Sequence, residues 1–305
     1  MSNRPTIAYQ PALDGVRAFA VVAVLLFHAG VPGFRGGYLG VSGFLTLSGF
    51  LFTRLLLAGH HETGAIDLPR FYSRRLRRLL PASMLCLVGV AALAALTELF
   101  DGVANLRAHL LGSLFQVANW VFLFGEGSYQ DLLARASGTS SPVEHFWSLA
   151  IEEQFYWIWP PFMLCVLSRV PRHRGRLVVI GGVTALAAVA APVIAQVWGP
   201  DAAYWATPAR IGEILMGAFL AVVLTQRKVP AAAAPVAPAA LVVLAICIVA
   251  FPSSGGPAYA GALPLVAVVS TGLILGLQVP GGVRRVFEIE AIVWIGTISY
   301  GLYLF

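Results

Sequence analysis

The sequence predicts an all-α polytopic membrane protein: a helical bundle of about nine spans, plus one helix near 106–124 that does not cross. Three observations carry this. Of 305 residues, 58% are hydrophobic and only 11% are charged. Apolar runs recur along the whole chain, and the basic residues fall in short clusters between them. Soluble domains carry about 25% charged and about 45–50% apolar residues, so a soluble globule of this size has too little polar surface to cover the excess. The same composition excludes a disordered chain.

The apolar runs lie at about 13–31, 38–58, 81–97, 106–124, 146–167, 177–198, 211–224, 231–251, 260–277 and 292–305. The first holds Asp14, Arg17 and His28 and lacks a clean small-residue cleavage site, so it reads as a retained span and not a signal peptide. Arg70, Arg74, Arg75, Arg77 and Arg78 follow the second run, and Arg169, Arg172, Arg174 and Arg176 the fifth. Arg227 and Lys228 follow the seventh, and Arg284 and Arg285 the ninth. This is the positive-inside pattern, which accounts for the net charge of +6 without nucleic acid.

Charge parity then selects a topology. With Arg4 and the N-terminus on the cytoplasmic side of the inner membrane, every strong cluster falls inside only if the 106–124 run does not span. That run contains His109, Gln116 and Asn119, and 97–145 becomes one external region with Glu98, Asp101, Glu126, Asp131, Arg135 and Glu144. The last run stops at Phe305, short of the about 20 residues a span needs. The expectation is one membrane domain over 1–305, cut short at its C-terminal end, with no soluble domain. Cys86, Cys165 and Cys247 sit singly in apolar runs and suggest neither a disulfide framework nor a metal site.

Ionisable residues within apolar runs are the first functional candidates, because each costs about 2.5–3.5 kcal/mol at the bilayer centre. Arg17 and His28 are eleven residues apart, close to three helical turns, so they share one face and lie about 16 Å apart along the axis. Asp14 precedes Arg17 by three and can pair with it. In HFWSLAIEEQFYWIWP, the residues His145, Ser148, Glu152 and Tyr156 form one helical face, with Glu153 about 100° away. This pattern suits acid–base chemistry, or equally a helix start with an interfacial belt of Trp147, Trp157 and Trp159. In TPARIGEILMGAF, Thr207, Arg210 and Glu213 step by three, as a site or as a capped helix start with an ion pair. The loop PRFYSRRLRRLLP reads as a topology determinant touching anionic lipid, or as a phosphate-binding segment, since guanidinium forks match phosphate oxygens.

Six ordered segments, LDGVRAFAVVAVLLFH, GYLGVSGFLTLSGFL, FYSRRLRRLLP, HFWSLAIEEQFYWIWP, TPARIGEILMGAFLA and ISYGLYLF, together resemble the membrane acyltransferase 3 family. Its members O-acylate surface polysaccharides, peptidoglycan, Nod factors and some macrolides. The resemblance implies an inner-membrane enzyme of about ten spans that uses acyl-CoA, usually acetyl-CoA, as donor. It implies catalytic roles for His28, Arg17 and Glu152. It implies donor binding by Ser48 of the Ser-Gly-Phe motif and by Arg74, Arg75, Arg77 and Arg78. It implies acceptor or substrate contacts at Asp14, His145, Trp147, Ser148, Thr207 and Arg210. No metal or permanently bound cofactor is implied. Two departures stand out: Ser42 replaces the aspartate of many relatives, and Phe305 replaces the tryptophan that usually continues into a last span. A transporter or sugar-binding scaffold without chemistry, or an inactive fragment, is the alternative reading.

Overall fold

The computed structural model describes residues 8–125 and 140–305. Arg4, Glu126, Asp131 and Arg135, used above to argue topology, lie outside the described residues. Every regular element among the described residues is helical. Helix α1 spans Pro11–His28, with Pro11 in its first turn and Asp14 placed against the positive end of the helix dipole. A single turn at Gly37–Leu39 leads into α2, Gly40–Thr63, which ends at Gly64 in the left-handed conformation that glycine tolerates.

Helix α3 spans Leu68–Leu96, and its N-terminus corrects one expectation. The Asp67 carboxylate accepts the Arg70 backbone N–H at 3.0 Å, and Pro69 follows in the first turn. These are strong start signals. The arginine-rich segment is therefore the opening of a helix and not a loop. The 106–124 run breaks into two short helices, α4 at Leu106–Leu114 and α5 at Ala118–Phe124. Gln116, with φ of 59°, makes the break. Neither piece is long enough to span, although one helix was expected.

The rest of the chain forms α6 (Phe146–Arg169), α7 (His173–Val197), α8 (Pro200–Trp205), α9 (Thr207–Leu224) and α10 (Val236–Ala250). A kinked turn at Ala258–Ala262 leads to α11 (Leu263–Gly276), α12 (Gly282–Phe287) and α13 (Glu290–Leu304). Among the described residues, seven helical stretches are long and apolar enough to cross a membrane, against the nine expected. The two that differ are α6, long enough at 24 residues but interrupted by Glu152 and Glu153, and α13, which has 15 residues. The chain is a multi-pass membrane protein.

Helix α9 lies at the centre, packed on α2 and α7, while α1 packs on α2 and α13. Small residues set these distances, as is usual where lipid removes the hydrophobic drive between helices. A Cβ on Gly49 would meet the Ile214 carbonyl oxygen, and a Cβ on Gly217 would meet the Thr46 carbonyl oxygen. The α2–α9 seam is thus backbone against backbone from both sides. Gly296 of α13 sits equally close to the Asp14 backbone of α1.

Candidate active site

A cavity of about 520 Å³ runs between α1, α2, α3, α6 and α13. It explains which of the expected residues meet. Arg17, Arg75 and Arg78 line one end, Ser48, Glu152, Glu153 and Tyr156 the middle, and Ser148 and Tyr303 the other end.

The arginine end follows from the helical geometry of α3. Arg75 and Arg78 are three residues apart and share the face turned to the cavity, and Arg78 lies close enough to both Arg75 and Arg17 to be repelled by each. Arg74 and Arg77 fall on other faces and do not line it. The Arg77 guanidinium folds back on the Ser73 carbonyl at 3.1 Å. Two of the four arginines expected to hold the donor therefore reach the cavity. Arg17 pairs with Asp14, which also accepts from the Tyr9 hydroxyl at 2.8 Å. That bond raises the Tyr9 pKa, because ionising the phenol would lose it beside a carboxylate.

In the middle, the Ser48 hydroxyl donates to Glu152 Oε1 at 2.7 Å. The Tyr156 hydroxyl bonds Ser48 Oγ at 2.9 Å and lies 3.3 Å from Glu152 Oε2. The Ser-Gly-Phe motif thus has three separate physical reasons: Ser48 reaches Glu152, Gly49 admits α9, and Phe50 is buried. Glu153 was expected to point away. It lines the cavity too, paired with Arg75 at 3.1 Å, and the Arg75 guanidinium lies 3.0 Å from the Tyr156 ring centroid. The long arginine spans the angle between the two carboxylates.

At the far end, Ser148 Oγ and the Tyr303 hydroxyl are 2.7 Å apart. The Tyr303 ring packs edge-on against His145, with centroids 5.8 Å apart. His145 precedes α6, and its Nε2 is shielded from solvent without a hydrogen-bond partner among the described residues. Burial first, and the nearby charge of His28 second, push its pKa down to about 4.

His28 stands apart from the cavity. It is the last residue of α1, exposed, and outside the cavity lining. The helix ends at this residue, so no further turn covers the ring. Its Nδ1 lies 2.9 Å from the Val24 carbonyl oxygen, which can only accept. That bond makes Nδ1 the donor and leaves Nε2 as the nitrogen free to act on another group.

Three other expected contacts lie behind the cavity. Arg210 is 1% exposed, bonded through two nitrogens to Glu213 and through a third to the Tyr204 carbonyl, between the rings of Trp147 and Tyr204. Thr207 donates to Gln154 Oε1 at 2.6 Å, Gln154 donates to Asn119 Oδ1 at 3.0 Å, and Asn119 donates to Thr207 Oγ1 at 3.0 Å. This closed ring clamps α5, α6 and α9 together. Of the tryptophans proposed as a belt, only Trp157 is exposed; Trp147 is buried, and Trp159 is buried with its N–H on Thr53. Ser42, at the departure from the family pattern, has a buried hydroxyl without a partner among the described residues.

Sequence reasoning gave no role to Tyr303, Tyr300, Gln154 or Asn119. Only the motif ISYGLYLF pointed to the tyrosines.

Comparison with known proteins gives the family. A family model described as an acyltransferase domain matches residues 10–305. The peptidoglycan O-acetyltransferase OatA of Listeria monocytogenes is 35% identical over 99% of this chain and 50% of its own length. The YrhL protein of Bacillus subtilis is 33% identical over 97% of this chain and 48% of its own. The chain thus spans about half the length of the curated relatives it matches. No solved structure matches. With the match covering nearly the whole chain and all six ordered segments, the chain belongs to the membrane acyltransferase 3 family.

Proposed function

We propose that this protein is an inner-membrane O-acyltransferase that takes an acetyl group from acetyl-CoA and transfers it to a hydroxyl of a cell-envelope carbohydrate. The cavity lined by Arg17, Arg75 and Arg78 and by the hydroxyl pair of Ser148 and Tyr303, with His145 packed against Tyr303, is the observation that carries this reading. The arginine end faces the cytoplasm, with the N-terminus on the same side. Arg17, Arg75 and Arg78 hold phosphate oxygens of the donor, whose thioester arm extends past Glu152 towards Ser148 and Tyr303. The Ser148–Tyr303 hydroxyl contact opens to let the acyl end pass on to His28. There Nε2 takes the proton of the acceptor hydroxyl as its oxygen attacks the thioester carbonyl. The carbon–sulfur bond breaks, and the thiolate leaves as free CoA after protonation. Glu153 keeps Arg75 in place, and Glu152, held by Ser48, balances the charge around the arm. OatA is named for peptidoglycan, which makes peptidoglycan fragments the first acceptor to try.

The test uses the full chain in proteoliposomes, with acetyl-CoA on one side and soluble peptidoglycan fragments on the other. Free CoA release that depends on the acceptor, and that His28→Ala reduces at least a hundredfold without changing expression or the size-exclusion profile, is the expected outcome. Acceptor flux without CoA release, or near-normal acetylation by the variant, overturns the reading.

A further inference from the structure

A second cavity, of about 840 Å³, opens at the arginine-rich end of the bundle on a different face of α2. Arg54, His61, Arg227, Lys228, Thr225 and Gln278 line it, and Glu62 is its one carboxylate. Three permanent cations therefore face a single anion.

Arg54 is the informative member. It is half-buried, six residues beyond Ser48 and so about 240° around α2 from it. Its guanidinium donates to Gln10 Oε1 at 3.1 Å and lies 5.3 Å from the Phe50 ring centroid, with no carboxylate paired to it among the described residues. The two glutamines are already committed. Gln10 donates to Gln278 Oε1 at 3.2 Å, and Gln278 donates to the Ile274 carbonyl at 2.9 Å. Arg54 is thus held in place by a built polar network that leaves most of its five N–H groups unmatched. A guanidinium withdrawn from water without a counter-ion is costly, and the cavity in front of it is flanked by Arg227 and Lys228.

We propose that this cavity binds a phosphate-bearing anion, held by the fork of Arg54 and the charges of Arg227 and Lys228. The phosphate comes either from an anionic phospholipid headgroup of the adjoining leaflet or from a free polyphosphate in the aqueous phase. The site is separate from the first cavity and does not depend on the reaction proposed for it.

Purified full-length protein in neutral detergent is titrated with phosphatidylglycerol, phosphatidylcholine and inorganic pyrophosphate, with binding read by native mass spectrometry and thermal shift. Retention of phosphatidylglycerol over phosphatidylcholine supports the proposal and assigns the lipid source. A response to pyrophosphate supports it and assigns the soluble one. Arg54→Gln is expected to weaken that binding at least tenfold. The double variant Arg227→Gln/Lys228→Gln changes only exposed residues and is expected to do the same, which keeps the test open if Arg54→Gln folds poorly. Binding of neither anion overturns the proposal. So does equal retention of both lipids without a pyrophosphate response, or binding by the double variant as tight as wild type.

Discussion

Ser48 of α2 and Glu152 of α6, 104 residues apart in the chain, are joined by a 2.7 Å hydrogen bond in which the serine donates. This bond fixes the carboxylate beside the Tyr156 hydroxyl, whose ring carries the Arg75 guanidinium. Glu152→Gln keeps the shape and removes the charge. It is expected to lower kcat/KM for acetyl-CoA about a hundredfold, the loss of about 2.7 kcal/mol from removing a buried, hydrogen-bonded charge beside the donor arm. Ser48→Ala, which removes only the donor, is expected to cost about tenfold. Steady-state CoA release in proteoliposomes measures both.

The α3 helix sorts its arginines by face. Arg75→Gln and Arg78→Gln are each expected to raise KM for acetyl-CoA about tenfold, the loss of one charge-assisted contact at about 1.5 kcal/mol. Arg77→Gln, whose guanidinium folds back on α3, is expected to stay within a factor of two. Equal effects at all three positions would mean that the segment acts through its summed charge and not through its register.

Arg210 and Glu213 are 1% and 0% exposed and bonded through two nitrogens. Glu213→Gln leaves the arginine uncompensated in the bundle and is expected to destabilise by about 3–5 kcal/mol. The double variant Arg210→Met/Glu213→Leu is expected to recover most of that loss, because no orphaned charge remains. Thermal unfolding followed by fluorescence size-exclusion distinguishes this scaffold role from substrate binding, for which the double variant would fold well and stay inactive.

The neutral His145 ring gives a pH dependence with a defined sign. Its folded pKa is about 4, against an ordinary 6.5, so the unfolded chain binds more protons between those values. The associated stability is complete above about pH 6.5 and is lost as the pH falls through 4. The melting temperature is therefore expected to fall more steeply over this window in the wild type than in His145→Asn. Parallel profiles would show that the ring is solvated in the folded protein.

Much of this was legible in the sequence because it rests on composition and on spacing within one helix. The apolar excess required a membrane. The three-residue steps placed Asp14 beside Arg17 and Arg210 beside Glu213. The same arithmetic applied to 70–78 would have separated Arg75 and Arg78 from Arg74 and Arg77, had Asp67 and Pro69 been read as a helix start. Contacts between distant helices were not legible. Nothing local tells Ser148 that it will meet Tyr303, 155 residues away, or links Thr207 to Asn119. The exposure of His28 depends on where α1 stops, and helix ends are the least determined part of a periodic pattern.

The reciprocal glycine contacts between α2 and α9 have a mechanical consequence. Two backbones packed this closely at Gly49 and Gly217 cannot slide without a clash, and parting them would open a void between them, so the wall carrying Ser48 is stiff. Any widening of the passage falls to α3 and α13 on the opposite side. Only 17% of the apolar window of α3 is covered by protein, and α13 turns Trp294 and Leu302 outward. The yielding wall is thus the one that leans on lipid, and the thickness and lateral pressure of the bilayer enter directly into how far the passage can open.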